Sequence, residues 1–225
     1  MSLLRQHRPA VADEPAEKQL ELKLKTCRES LHADFEDVHP TERIDALFDD
    51  SVSRLRGEGR FDDYVPALAE KLARDRLKAS AQSEGFVAKT VPEVLFVALY
   101  DTGRGQMGAA IMESIAGGRV SVHSAGTHGE VAPVDPAVSA AMSEIGIDLA
   151  GVYSKPLTPE VLRAADVVVT MGRSTGIVEI PPETRHVDWR IGDPGGAPPD
   201  EVRHIRDEIR GRVERLLAEL APDDR

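Results

Sequence analysis

Apolar residues recur at three- and four-residue spacing through the first third of the chain, then change to short continuous runs after Glu93. Leu20, Leu24, Cys27, Leu31 and Phe35 share one helical face, and Ile44, Leu47, Phe48, Val52 and Leu55 share another. Thr41 and Glu42 after Pro40 make a helix start for the second of these. A third stripe, Val65, Leu68, Leu72 and Leu77, follows the turn at Gly57 and Gly59. The spacing predicts a small all-α three-helix bundle over residues 14–84. Residues 1–13 mix Arg, His, Pro and Ala without period and read as a frayed tail. The stretch Ser80 to Pro92 is polar and mixed, and a linker is expected over 85–92. A bundle of about 70 residues has a marginal core, for which oligomerisation is a common remedy, so a homodimer through residues 14–84 is expected.

From Glu93 the pattern alternates between strands and helices. Strands are expected at Val94–Leu99, Val120–Ser124, Asp166–Met171 and around His186–Trp189. Helices are expected at Gln106–Ala116, Pro136–Ile145, near Thr158–Ala165, and over Pro199–Leu220. Short apolar strands separated by helices imply a doubly wound α/β domain over 93–225, with a parallel four-stranded sheet and flanking helices. Its ligand site belongs at the carboxyl end of the first strand.

Composition narrows the function. A formal charge of −11 argues against a nucleic-acid surface, which needs clustered Lys and Arg. No run reaches the roughly 18 apolar residues of a membrane span, and the opening residues lack the pattern of a cleaved leader, so a cytoplasmic location is expected. The single cysteine, Cys27, excludes an intrachain disulfide, a cysteine zinc cluster and a redox relay within one chain. Cys27 sits on the apolar face with Leu24 and Leu31 and reads as a core thiol. His123 and Trp189 read as packing residues, and His32 and His39 have no metal-ligand partners at convincing spacing. Neither a metal nor a cofactor is expected.

The segment VLFVALYDTGRGQM, Val94 to Met107, carries the chemistry. An apolar strand runs into a glycine-bearing turn with one arginine and then a helix. In such a turn successive backbone N–H groups point inward, and the helix adds the positive end of its dipole. Gly103 permits close approach or positive φ, and Arg104 offers a planar fork for two oxyanion oxygens. Leu99, Tyr100, Asp101, Thr102, Gly103, Arg104 and Gly105 are the expected oxyanion-binding residues, with phosphate, sulfate or arsenate as the possible ligand. Any strand, turn and helix with a Gly and an Arg would share these features.

The chain resembles the low-molecular-weight protein tyrosine phosphatases and related arsenate reductases. The likeness spans Val94 to Leu220: Ser124-Ala125-Gly126-Thr127, Ala140-Ala141-Met142 through Gly146-Ile147-Asp148, Lys155-Pro156-Leu157-Thr158, Asp166 to Gly172, Asp188-Trp189 and Asp193-Pro194 keep the family's order and spacing. The N-terminal helices, with Phe61, Pro66, Leu68 and Ala69, resemble the extension of some actinobacterial arsenate-reductase-like proteins.

The resemblance implies in-line attack by a thiolate, an arginine that steadies the equatorial oxygens, a hydroxyl after the arginine, and an aspartic acid that protonates the leaving oxygen. Those positions fall on Ala98, Arg104, Gly105 and Asp193. A methyl group can neither attack nor ionise, and losing a nucleophile from a coupled site costs on the order of 10⁶ in rate. Arg173-Ser174-Thr175-Gly176-Ile177, where the reductases carry resolving thiols, has none. Asp101, where the family often has Asn, adds a carboxylate beside the cradle. At about 6 Å and an effective permittivity near 20 its repulsion on an anion is roughly 3 kcal/mol, unless it turns outward. Arg173 and His186 read as solvated loop residues, and Asp193 as a turn carboxylate ahead of Pro194.

These readings converge on a catalytically degenerate member that binds an oxyanion or phosphorylated ligand, or acts as a dimeric scaffold. Two alternatives stay open. One is a phosphoric-monoester hydrolase with non-cysteine chemistry, using Asp101 as nucleophile or base and Asp193 as acid. The other is a Cys-to-Ala trap of a protein tyrosine phosphatase, although Gly105 and Tyr100-Asp101 depart from a change confined to the thiol.

Overall fold

The computed structural model describes residues 14–56, 64–128, 132–172 and 179–222. The expected tail, the turn at Gly57 and Gly59, Phe61, and Arg173 to Ile177 lie outside them. The chain opens with three helices, α1 (Glu14–Phe35), α2 (Thr41–Leu55) and α3 (Val65–Ser83). Four strands follow, β1 (Glu93–Ala98), β2 (Ser121–Gly126), β3 (Val167–Met171) and β4 (Arg185–Trp189). Between and after them come α4 (Arg104–Ala116), α5 (Pro136–Ser143), α6 (Pro159–Ala164) and α7 (Pro199–Leu220). Among the described residues no helix is long and apolar enough to cross a membrane.

The sheet is parallel, in the order β2-β1-β3-β4, as the alternating pattern requires. All six residues of β1 are buried because helices cover both faces of the sheet, which explains the unbroken apolar run. Val94, Phe96 and Ala98 join the larger core, with Met107 and Ile111 of α4 and with Ile205, Ile209 and Val213 of α7. Leu95 and Val97 point the other way, onto Val168, Ala165 and the α6 side. Trp189 is a packing residue as expected, 5.8 Å from the Phe96 ring.

His123 is not simply a packing residue. Its Nε2 lies 3.1 Å from the carboxylate of the buried Glu93. Burial works against the charge on Glu93, but bonds from His123, Ser121 and Gln82 outweigh it and hold the carboxyl down at about 2.

The N-terminal helices enclose Leu31, Ile44, Phe48, Leu55, Leu72 and Leu77, and Tyr153 from the sheet domain joins them. Helix α3 runs four residues into the stretch read as polar, Ser80 to Ser83. The reason is local: Ser80 is buried, with its hydroxyl bonded to Arg43 and Glu84. Helix α3 packs on α6, and Arg76 crosses the boundary to place Nε 3.0 Å from Glu160 Oε2. Both side chains are buried. Arg76 Nη1 also donates to Ser51 and to the Leu47 carbonyl, at 3.0 and 3.3 Å. Cys27 is half-buried on α1, where burial and the neighbouring Glu70 push its thiol up to about 11. That is an unreactive core thiol. Between the helices, His32 bonds to Asp45 and His39 to the Leu77 carbonyl.

Candidate oxyanion site

The loop between β1 and α4 is fixed by its carbonyl groups. Ala98 O accepts from Thr127 N at 3.0 Å, Leu99 O from His128 N at 2.9 Å, and Thr102 O from Asp135 N at 2.9 Å. Asp101 O accepts from the Gln106 side chain, and Gly103 O from Met107 N. Each partner lies outside the ring of the loop. The described peptide bonds are trans, so the N–H following each carbonyl points the opposite way. The amides of Leu99, Tyr100, Thr102, Gly103 and Arg104 are thereby aimed inward, above the unsatisfied N–H groups that begin α4. Gly103 has a φ of −141°, so its use is close approach rather than positive φ: a Cβ there would stand 3.0 Å from Pro194 Cγ.

The side chains of the mouth form a shallow cleft of about 40 Å³, lined by Tyr100, Thr102, Arg104, Asp135, Asp193 and Pro194. Arg104 is nearly buried and directs Nη1 to the Ile191 carbonyl at 2.9 Å and Nη2 to Asp193 Oδ2 at 3.3 Å. Its guanidinium rests against Gly172, at φ +91°. A Cβ at Gly172 would lie 2.7 Å from Nη1, so only glycine leaves room for this arginine. Asp193 is an exposed turn carboxylate, accepting from Gly195 N at 3.1 Å through Oδ1, and it also pairs with Arg104. Asp135 caps α5, accepting from Ala137 N at 2.8 Å. His186 stands on β4, bonded to Thr170, rather than in a loop.

Asp101 departs most from its expected place. Its side chain turns neither across the cradle nor outward, but folds beneath the loop into the protein, 1% exposed. Oδ2 accepts from Gln106 Nε2 at 2.7 Å, Ser124 Oγ at 3.1 Å and Lys155 N at 3.1 Å, with Lys155 Nζ at 3.7 Å. Burial pushes the carboxyl up to about 6, against the opposing pull of Lys155 and these hydrogen bonds. Oδ1 has no hydrogen-bond partner among the described residues.

Sequence reasoning named the loop but missed Gln106, Ser124, Lys155, Gly172, Ile191 and Asp135 as its supports. Asp135 before Pro136 was legible as a helix cap and Gln106 stands within the quoted segment, but Ser124, Lys155, Gly172 and Ile191 lie far from the loop in sequence, and nothing local ties any of the five to it. Among the described residues no group of three or more His, Cys, Asp or Glu is arranged to hold a metal.

A parallel sheet whose first strand delivers a glycine-bearing loop, an arginine and a helix N-terminus defines an α/β protein with a strand–loop–helix candidate site. Within that class, the chain belongs to the low molecular weight phosphotyrosine protein phosphatase family, whose model matches residues 93–225. It is similar to the thioredoxin-dependent arsenate reductase of Corynebacterium glutamicum, with 33% identity, a TM-score of 0.78, and coverage of 88% of this chain and 96% of that one. That coverage exceeds what residues 93–225 alone could supply, so the match reaches into the N-terminal helices. A glutaredoxin arsenate reductase of Synechocystis is 32% identical over 133 residues, 57% of this chain and 98% of the relative. An arsenate reductase structure in its phosphate-binding state is 30% identical, with a TM-score of 0.52, over 58% of this chain and all of that one.

Proposed function

We propose that the protein is a non-catalytic member of its family that holds a tetrahedral oxyanion in the loop from Leu99 to Gly105. The observation that carries this reading is the loop itself, which keeps inward amides and Arg104 while β1 ends in the methyl group of Ala98. At the position where the family resemblance places its thiolate, no atom can attack or ionise, and Gly105 supplies no hydroxyl. The chain's one cysteine is on α1 in the helical bundle, with its thiol held protonated. Titration calorimetry of the full chain with phosphate, sulfate, arsenate and phosphotyrosine tests the reading. Binding should be weakened about tenfold to a hundredfold in Arg104→Ala, because a hydrogen bond to a charged group contributes roughly 1.5–3 kcal/mol. No heat from any of the four ligands would remove it.

Asp193 competes with the anion for Arg104 in this reading. An exposed ion pair contributes up to about 1 kcal/mol, so Asp193→Asn is expected to tighten phosphate binding by up to about fivefold. Calorimetry on that variant checks the sign, and weaker binding would mean that Asp193 positions Arg104 for the ligand instead. A hydrolase using Asp101 has less support, because the carboxylate is folded under the loop with Oδ2 fully engaged.

The helices α1 to α3 are read as a dimerisation extension of the kind found in actinobacterial arsenate-reductase-like proteins. The reach of the Corynebacterium match into this region supports the relationship, and Leu22, 64% exposed on α1, offers an apolar contact. Light scattering of the full chain should give the mass of two copies, and a monomer at all concentrations would remove the dimer.

A further inference from the structure

Strand β4 is an outer edge of the sheet, with β3 on one side and, among the described residues, no strand on the other. We propose that this edge, with the groove between β4 and α7, receives an acidic, extended segment of a partner protein as a fifth strand. The surface shares no residue with the cleft at the loop mouth and does not depend on how the loop is read.

The backbone of β4 is only half used. Arg185 N donates to the Asp166 carbonyl at 2.9 Å, and the Trp189 carbonyl accepts from Gly172 N at 3.0 Å. Alternate residues of a strand turn their backbone groups to the same neighbour, so residues 185, 187 and 189 serve β3 while His186 and Asp188 turn theirs outward. Those outward N–H and C=O groups are a template for pairing with another chain. The side chains of Arg185, Val187 and Trp189 share the face that looks onto α7. The groove there is about 230 Å³, several times the cleft at the loop mouth. In strand addition the main chain supplies affinity, and alternate side chains entering such a groove supply specificity.

Charge selects the occupant. Val187 and Leu216 give the groove apolar surface, and Arg185, Arg212 and Arg215 stand around them, with Glu219 the single carboxylate of the lining. Glu219 pairs with Arg185. Arg212 bonds to Glu208 and holds its Cζ 6.0 Å from the centre of the Trp189 ring. Arg215 is exposed and has no ion-pair partner among the described residues. A chain of formal charge −11 thus gathers three guanidiniums beside one open edge. Two copies of β4 set side by side about a twofold axis would bring both arginine sets together, and like charges across a strand pair repel. A strand with carboxylates on one face meets Arg212 and Arg215 instead, while its backbone pairs with His186 and Asp188.

Trp189 is the chain's single tryptophan, so its emission reports on this groove. Adding the capped peptide Glu-Val-Glu-Val-Glu-Val to the full chain should change that emission saturably. Arg215→Glu, which alters an exposed side chain and turns an attraction into a repulsion, should weaken binding at least about fivefold. At saturating peptide, NMR amide exchange should slow at His186 and Asp188 by about tenfold or more, which contact through charge alone would not produce. No change in emission, an equal response to capped Lys-Val-Lys-Val-Lys-Val, or binding that leaves the two amides unprotected would overturn the proposal. Protection of those amides in the free chain that rises with protein concentration would also overturn it, by placing a second copy on the edge.

Discussion

Replacing Arg76 with alanine is expected to destabilise the chain by about 3–5 kcal/mol, the cost of stripping one partner from a buried ion pair. Arg76 is the joint between the helical bundle and the sheet domain. Its Nε holds Glu160 at the start of α6, and its Nη1 holds Ser51 and the Leu47 carbonyl of α2. Nη1 also lies 2.7 Å from Asp50. Burial works to raise the Glu160 carboxyl, and the bond and charge of Arg76 outweigh it and hold the carboxyl below its ordinary range. That contribution to stability is present at neutral pH and is lost as pH falls through the lowered value. Without Arg76 a carboxylate is left buried and unpaired, so Glu160→Gln in the same chain should recover part of the loss. Urea unfolding of the two single variants and the double variant measures the coupling. Additive effects would show that the contact does not join the two parts.

Asp101→Asn is expected to act in the opposite direction, stabilising the protein at neutral pH by up to about 3 kcal/mol. The folded carboxyl is raised from 3.8 to about 6, so between those values the folded chain binds the proton more tightly than the unfolded one. Stability contributed by the protonated form is therefore present below about pH 4 and is lost as pH rises through about 6. A shift of roughly two units corresponds to about 3 kcal/mol across that window. The charged and titratable groups facing the carboxylate are Lys155, which favours ionisation, and Tyr153, whose hydroxyl is pushed up by burial, by Asp75 and by Asp101. Asparagine carries no charge into the site and keeps an oxygen for Gln106, Ser124 and the Lys155 amide. The difference between variant and unaltered chain should vanish near pH 4 and be full near pH 8. Equal stability of the two at every pH would show that burial does not raise the Asp101 carboxyl.

Much of the fold was legible because parallel strands buried on both faces must be apolar throughout. Val94 to Ala98 and Val167 to Val169 show this directly, and the stripes on α1 and α2 show helical burial. Errors gathered where a polar side chain is buried by contacts from elsewhere. Ser80 continues a helix because Arg43 and Glu84 satisfy its hydroxyl, 37 and 4 residues away. His123 meets Glu93 across neighbouring strands, 30 residues apart. The backbone of the site could be read from one segment, since the turn after β1 and the start of α4 are local. The state of Asp101 could not, because its three fixing donors come from positions 5, 23 and 54 residues distant. Likewise the seat of Arg104 depends on Gly172 and Ile191, which no local pattern ties to the loop.

In the function proposed above, these contacts shape the loop to hold an anion. Its donors are preorganised, its arginine is steadied by a neighbouring strand end, and its first position is a methyl group at the end of β1. Hydrolysis of a phosphate ester there would need a nucleophile that Ala98 does not supply. A single-turnover assay of phosphotyrosine with the full chain in excess tests this most directly, with Arg104→Ala run beside it. The account predicts phosphate release no faster than in the variant or in buffer. Release above background that disappears in Arg104→Ala would contradict it.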